Sequence, residues 1–288
     1  MLFTIAIPTY NNETTIANAI GSALAQSYKE KYEVLVVNNA SKDKTLDVIL
    51  KFRDDRLRVV SNNETIDMYS NHNVCLKEAK GDYILFCHSD DTLMPNALSI
   101  LSDKIIQRNY PLRYIIWGHS MYNDYYNVLK RGDQDVNVMF SGEMALKCFV
   151  CGGLTPSGTC YSRRSLMEIG GFPPSSVRSP EMDWVIMMLA TFNFFEFEMM
   201  DRMIFKRVCA STAVAGISKD EHLKNHKEAL EVLYSLVSET QKVKLLNMMI
   251  GNSTLELYRA IKNEIPYKIY IKYYIIKKTR EIISLLFY

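Results

Sequence analysis

The chain opens on Leu2-Phe-Thr-Ile-Ala-Ile-Pro-Thr9, an apolar run rich in β-branched residues and too short for a buried helix. The same texture returns four times before residue 120. Phe3–Ile7, Glu33–Val37, Leu57–Val60, Tyr83–Cys87 and Tyr114–Trp117 read as strands, and stretches with helical spacing separate them. Strands that alternate with helices predict a mostly parallel, doubly wound α/β sheet, because a parallel neighbour requires a crossover and the crossover helix covers a face. Asn11 and Asn12 stand where they can cap a helix from about Glu13 to Gln26, and Ser41 or Asp43 can cap the helix after the second strand. Each cap follows a strand end, where open α/β sheets bind ligands.

From Ser141 to Phe172 the pattern changes to a helix, a run of small residues (Gly152-Gly-Leu-Thr-Pro-Ser-Gly158), a short strand, and a helix closed by Gly170 and Gly171. Lys219 to about Ile261 is helical by spacing, and Pro266 breaks the chain before a final basic and aromatic helix. The expected organisation is an α/β domain over 1–215, with halves of about 1–110 and 111–215, followed by a helical extension over 216–288.

Composition narrows the function classes. The hydrophobic share of 48% over 288 residues supports a large core. Thirty-four basic and 32 acidic residues leave a net charge of +2, without the global basic field of a nucleic-acid binder. Cys75, Cys87, Cys148, Cys151, Cys160 and Cys209 lie in apolar surroundings without disulfide-scaffold spacing, which suits a reducing compartment. Cys148 and Cys151 form a CxxC with no second pair at zinc spacing, and read as helical thiols. The amino terminus lacks a signal-peptide pattern, and no apolar run approaches the roughly 20 residues that span a bilayer, so the expectation is a soluble or peripheral protein.

The segment Tyr83 to Pro95 carries the most chemistry. A buried strand runs straight into His88, Ser89, Asp90 and Asp91, and two adjacent carboxylates at a strand end are costly unless a positive charge compensates them. A hard divalent cation bridging phosphates is a natural compensator, since it takes oxygen ligands from the protein and from a diphosphate. The competing reading makes them turn and cap residues ahead of Pro95.

Four motifs occur in one order: Ile5-Ala-Ile-Pro-Thr-Tyr-Asn-Asn12, Val34-Leu-Val-Val-Asn-Asn-Ala-Ser-Lys-Asp-Lys-Thr45, Asn71-His-Asn73 with Ala79-Lys-Gly-Asp-Tyr-Ile84, and His88-Ser-Asp-Asp91. Together, over about Leu2 to Thr191, they resemble the inverting family 2 glycosyltransferases of the GT-A fold, of the kind that builds bacterial surface polysaccharides such as O-antigen. The resemblance implies a nucleotide-diphospho-sugar transferase. Pro8, Thr9, Tyr10 and Asn11 would line the base and ribose, with Asn38 or Asn39 at the base edge, and Asn73, His88, Ser89 and Asp90 would complete the nucleotide-sugar site. Asp90, Asp91 and His88 would hold Mn2+ or Mg2+. The stretch Ser179-Pro-Glu-Met-Asp-Trp-Val-Ile-Met-Met188 matches the family's catalytic-base segment, which makes Asp183 the first choice for the base and Glu181 the second. Gly153 to Thr159 resembles the acceptor-side loop.

The chain departs from that pattern where the family carries aspartate, at Asn38, often at Asn39, and at His88. An asparagine carboxamide can still pair with both edges of a uracil-like base, and an imidazole favours manganese over magnesium. Met182 interrupts the acidic pair at Glu181 and Asp183. The implied activity is transfer of a sugar from a UDP-sugar to a hydroxyl of a lipid-linked or growing surface glycan. The same departures leave open a non-catalytic nucleotide-sugar-binding or scaffold protein. A nucleotidyltransferase would need a glycine-rich basic loop where Tyr10-Asn-Asn-Glu13 stands. His222 and His226 are spaced i, i+4, but charged neighbours make them a solvated face. The tail from Tyr267 to Arg280 carries Lys268, Lys272, Lys277, Lys278 and Arg280 among aromatics, closing in Ile282-Ile-Ser-Leu-Leu-Phe-Tyr288. It suits the anionic inner face of the plasma membrane, or packing on this domain or a second copy of the chain. The expected location is the cytoplasm.

Overall fold

The computed structural model describes residues 1–119, 138–142, 145, 156–174, 181–207 and 218–251. The first half alternates as its sequence pattern requires: β1 (Phe3–Thr9), α1 (Ile16–Leu24), β2 (Tyr32–Asn38), α2 (Thr45–Ile49), β3 (Leu57–Ser61), α3 (Met68–Glu78) and β4 (Tyr83–Phe86). A short strand β5 (Asp91–Leu93) and helix α4 (Ala97–Gln107) lead to β6 (Tyr114–His119). Then follow β7 (Val138–Phe140), β8 (Thr159–Ser162), α5 (Arg163–Glu168), α6 (Glu181–Phe192), β9 (Glu196–Met203), β10 (Phe205–Arg207), α7 (Lys219–Leu236) and α8 (Glu239–Gly251).

One mixed sheet runs in the order β3-β2-β1-β4-β8-β6-β9-β7. The β3-β2-β1-β4 half is parallel throughout, β8 is antiparallel to both β4 and β6, and β6 pairs with β9 in parallel. Alternation along β1 divides the core. Phe3, Ile5 and Ile7 face a cluster with α1 and α4, whereas Ala6 faces a second cluster with α3, α5 and α6. Helices on both faces bury β1 and β4 completely, which is why these two read as near-continuous apolar runs. Leu230, Leu233 and Leu245 of α7 and α8 join the second cluster, so these helices share the core of the sheet. The proposed boundary at residue 215 and the tail 267–288 fall outside the described residues, as do Cys148, Cys151 and residues 153–155 of the loop 153–159. Cys75, Cys87 and Cys160 are buried free thiols, and burial pushes each well above the ordinary thiol range.

Two local expectations change. The first helix is regular from Ile16 rather than from near Glu13: the Asn12 carbonyl accepts from Thr15 and Ile16 across the turn 13–15, and its side chain is drawn to Ser89 instead of capping a helix amide. The helical pattern from Lys219 is broken after Leu236. There the Ser238 hydroxyl accepts from the Gln241 amide and the Gln241 carboxamide oxygen accepts from the Ser238 amide, a capping box that starts α8. Strand β9 carries Glu198 fully buried among Lys104, Arg108 and the Tyr114 hydroxyl. Burial alone would raise that carboxyl, but these partners hold it below the usual carboxylate range.

Gly81 lets the β3–β4 crossover approach β1, and its amide donates to the Thr4 hydroxyl at 2.8 Å. A Cβ there would lie 2.5 Å from the Thr4 nitrogen and 2.8 Å from the Phe3 carbonyl carbon, both rigid backbone. Gly81→Ala is therefore expected to destabilise the fold by about 2 kcal/mol. Urea unfolding checks this, and an unchanged midpoint contradicts it.

Candidate active site

The site forms at the carboxyl ends of β1, β2 and β4, where the chain leaves the sheet. Asn11 and Ala40 both take left-handed backbone conformations, with φ of 54° and 52°, and fold the two loops against each other. Asn11 accepts from the Lys42 amide at 2.8 Å and its own amide donates to the Ser41 hydroxyl at 3.0 Å. The Thr45 hydroxyl accepts from the Asn12 amide at 2.7 Å, and Asp43 accepts from the amides of Thr45 and Glu13. Thus Ser41 and Asp43 tie β1 to β2 across the loops; the N-cap position of α2 is Lys44 rather than Ser41 or Asp43, and Asp43 reaches the helix only through Thr45. Pro8 and Thr9 end β1 buried, and Tyr10 follows half-buried at the rim.

Asn38 and Asn39 are both buried. The Asn38 carboxamide oxygen accepts from the Ser41 amide at 3.3 Å. Asn39 pairs with the peptide groups of Ile66, donating to its carbonyl at 2.8 Å and accepting from its amide at 3.0 Å. It also accepts from Asn62, which donates in turn to Asn71. Asn39 thereby shapes the loop after β3 with both ends of its carboxamide. Asn73 does the same on α3, where it brackets the Phe172 peptide, donating at 2.6 Å and accepting at 2.8 Å. Gly171 at φ 70° leaves room for it, since a Cβ would meet the Asn73 oxygen at 2.4 Å.

At the end of β4, His88, Asp90 and Asp91 each bring one ligand atom within 4.8 Å of the others. Asp91 is 1% exposed and opens β5, whose pairing with β10 fixes it in place. The Ser157 hydroxyl donates to Asp91 Oδ2 at 2.5 Å and accepts from the His88 amide at 3.1 Å, so the small-residue segment before β8 closes over the acidic turn. Ser89 is buried and donates to the Asn12 carboxamide oxygen at 2.8 Å, which joins the β1 end to the β4 end. The donor set, two carboxylates and an imidazole converging on one point, fits a divalent cation that has further coordination positions for phosphate oxygens.

Helix α3 supplies two residues that the sequence reading had given no role. Asp67 caps it, accepting from the amides of Tyr69 and Ser70. The Tyr69 hydroxyl donates to Asp183 Oδ1 at 3.1 Å in a buried contact, and Asp183 is 8% exposed in the first turn of α6. One turn further along α3, His72 Nε2 lies 3.2 Å from His88 Nε2. Burial, with the neighbouring His88 and despite the Met68 carbonyl, pulls the His72 imidazole down to about 3, so it is neutral. Glu181 opens α6, two residues ahead of Asp183. The i, i+3 spacing of Tyr69 and His72 was the available signal, since both fall on one helix face. His72 stood unused inside the Asn71-His-Asn73 motif.

Residues 4–170, more than half of the chain, match Glycosyl transferase family 2. The chain belongs to this family. It is 34% identical over 113 residues to the UDP-Glc:alpha-D-GlcNAc-diphosphoundecaprenol beta-1,3-glucosyltransferase WfgD of Escherichia coli, a match covering 39% of this chain and 44% of WfgD. It is 37% identical over 101 residues to the poly(ribitol-phosphate) beta-N-acetylglucosaminyltransferase TarS of Staphylococcus aureus, covering 34% of this chain and 18% of TarS. The matched stretches span less than half the length of either relative. The solved structure of S. aureus TarS 1-349 with UDP-GlcNAc superposes with a TM-score of 0.67 at 19% identity, over 95% of this chain and 79% of that one. The mannosyltransferase PcManGT of Pyrobaculum calidifontis, solved with GDP-Man and Mn2+, gives 0.59 at 16% identity, over 97% and 86%. These likenesses show the GT-A fold.

Removing the Ser157 hydroxyl leaves the Asp91 carboxylate short of one buried hydrogen bond and the His88 amide short of one part-buried one. Ser157→Ala is expected to cost about 1–3 kcal/mol of stability in metal-free buffer, read by urea unfolding. An unchanged midpoint contradicts the contact.

Proposed function

We propose that the chain transfers a sugar, with inversion, from a UDP-sugar to a hydroxyl of a lipid-linked or growing surface glycan, using a divalent cation. The observation that carries the reading is the convergence of His88, Asp90 and Asp91 at the end of β4, in a domain of a glycosyl transferase family. The acceptor class is supported by WfgD and TarS, whose names state a diphosphoundecaprenol and a poly(ribitol-phosphate) acceptor. UDP is supported by the TarS complex and Mn2+ by the PcManGT complex.

Asp90, Asp91 and His88 would hold the cation. When bound, it supplies positive charge against the departing diphosphate. Pro8, Thr9, Tyr10 and Asn11 border the nucleoside, with Asn38 at the base edge, while Asn39 and Asn73 act by holding the walls through Ile66 and Phe172. The acceptor hydroxyl oxygen attacks the anomeric carbon from the face opposite the diphosphate. The new C–O bond forms as the old one breaks, the diphosphate leaves with the electron pair, and the hydroxyl proton goes to Asp183. The Tyr69 hydroxyl fixes that carboxylate's orientation. Glu181, at the start of the same helix, is the alternative base. No helix among the described residues is long and apolar enough to cross a membrane. A lipid-linked acceptor then places the protein on the cytoplasmic membrane surface, with the basic segment 267–288 as the contact.

Asp183→Asn should retain metal-dependent UDP affinity while turnover falls by roughly a hundred- to ten-thousand-fold. Asp91→Asn should lose that affinity. Calorimetry with UDP and Mn2+, beside an assay of sugar release from UDP-sugars, separates the two. Near-normal turnover in Asp183→Asn assigns the base elsewhere, and full affinity in Asp91→Asn removes the cation site.

A further inference from the structure

The contact between two histidines has a direction that chemistry determines. His72 Nδ1 lies 2.7 Å from the Met68 carbonyl oxygen. A carbonyl only accepts, so Nδ1 carries the proton. Fully enclosed among aromatic rings, where a charged ring would be desolvated, the imidazole carries that single N–H, which leaves His72 Nε2 with a bare lone pair. The proton in the 3.2 Å contact between the rings therefore sits on His88 Nε2, and His88 donates. His72 cannot turn away from this arrangement. It is 1% exposed and packed against the rings of Tyr69, Phe86 and Phe172 at centroid distances of 5.9, 5.1 and 5.3 Å, with His88 edge-on at 80°.

We propose that His72 is a positioning residue that holds His88 in its Nε2–H tautomer, so that His88 meets a divalent cation through Nδ1, beside Asp90 and Asp91. The inference rests on the reading of that cluster as the cation site. Histidine ligands are generally oriented by a partner on the other ring nitrogen, and losing the partner costs roughly ten- to a hundredfold in metal affinity. Here the partner is a second histidine buried in an aromatic box. Its carbonyl-bonded Nδ1 selects the acceptor state that a carboxylate would otherwise provide. An imidazole nitrogen held in the set also biases it towards manganese over magnesium.

The test uses the full chain with UDP and reads free Mn2+ by electron paramagnetic resonance, with Mg2+ as competitor. His72→Phe keeps a ring in the box and removes the acceptor, while His88→Ala removes the ligand. Each should weaken Mn2+ binding about tenfold or more and narrow the preference over Mg2+. The double variant should lose little beyond the larger single loss, because the two act as one unit. Long-range 1H–15N spectra of the metal-free wild type keep the question open to refutation if His72→Phe does not fold. They should show Nδ1–H for His72 and Nε2–H for His88. The opposite tautomers, or wild-type Mn2+ affinity in either single variant, overturn the proposal alone. A wild type that binds no Mn2+ in the presence of UDP overturns the cation site and this inference together.

Discussion

Repulsion between two neighbouring carboxylates governs the carboxyl edge of this sheet. At a separation of 4.8 Å, the upper bound for Asp90 and Asp91, two negative charges repel by about 1 kcal/mol in water and about 3.5 kcal/mol at a dielectric of 20. Burial of Asp91 moves the pair towards the second figure. The surroundings offset part of this cost with donors: the Ser157 hydroxyl binds Asp91, and the β5–β10 pairing fixes the backbone on which it stands. Arg207 stands opposite Asp91 in that pairing. A divalent cation held between the two carboxylates would relieve their repulsion further, as the proposed function requires.

Helix α3 joins the two halves of this arrangement. Its cap at Asp67 fixes the first turn, from which Tyr69 reaches Asp183 and His72 reaches His88. Asn73 then locks the helix to the Phe172 peptide just after α5. A single rigid element thus sets both the orientation of the candidate base and that of the histidine beside the acids. Its side chains are spaced by helical geometry alone, so the two functions cannot drift apart without unwinding a turn.

The parallel half of the fold was legible because its strands are buried on both faces and read as apolar runs, as Phe3–Ile7 and Tyr83–Cys87 do. The cluster at His88, Asp90 and Asp91 was legible because the three are neighbours in sequence. Strand β9 was not, since Glu196 and Glu198 break the apolar pattern, and only Lys104, Arg108 and Tyr114, about 90 residues away, make Glu198 tolerable inside. Ser157 and Tyr69 were missed for the same reason: their partners Asp91 and Asp183 lie 66 and 114 residues distant. The asparagines were legible only in part. Asn39 and Asn73 carry the right chemistry for a ligand, and their carboxamides also bracket Ile66 and Phe172, a contact that no local pattern reveals.

A crystal of the chain grown with UDP and Mn2+, measured at the manganese absorption edge, would locate the cation. One anomalous peak is expected between the diphosphate and the side chains of Asp90, Asp91 and His88. Bound UDP with no peak there, and those side chains turned away from the phosphates, would contradict the cation site.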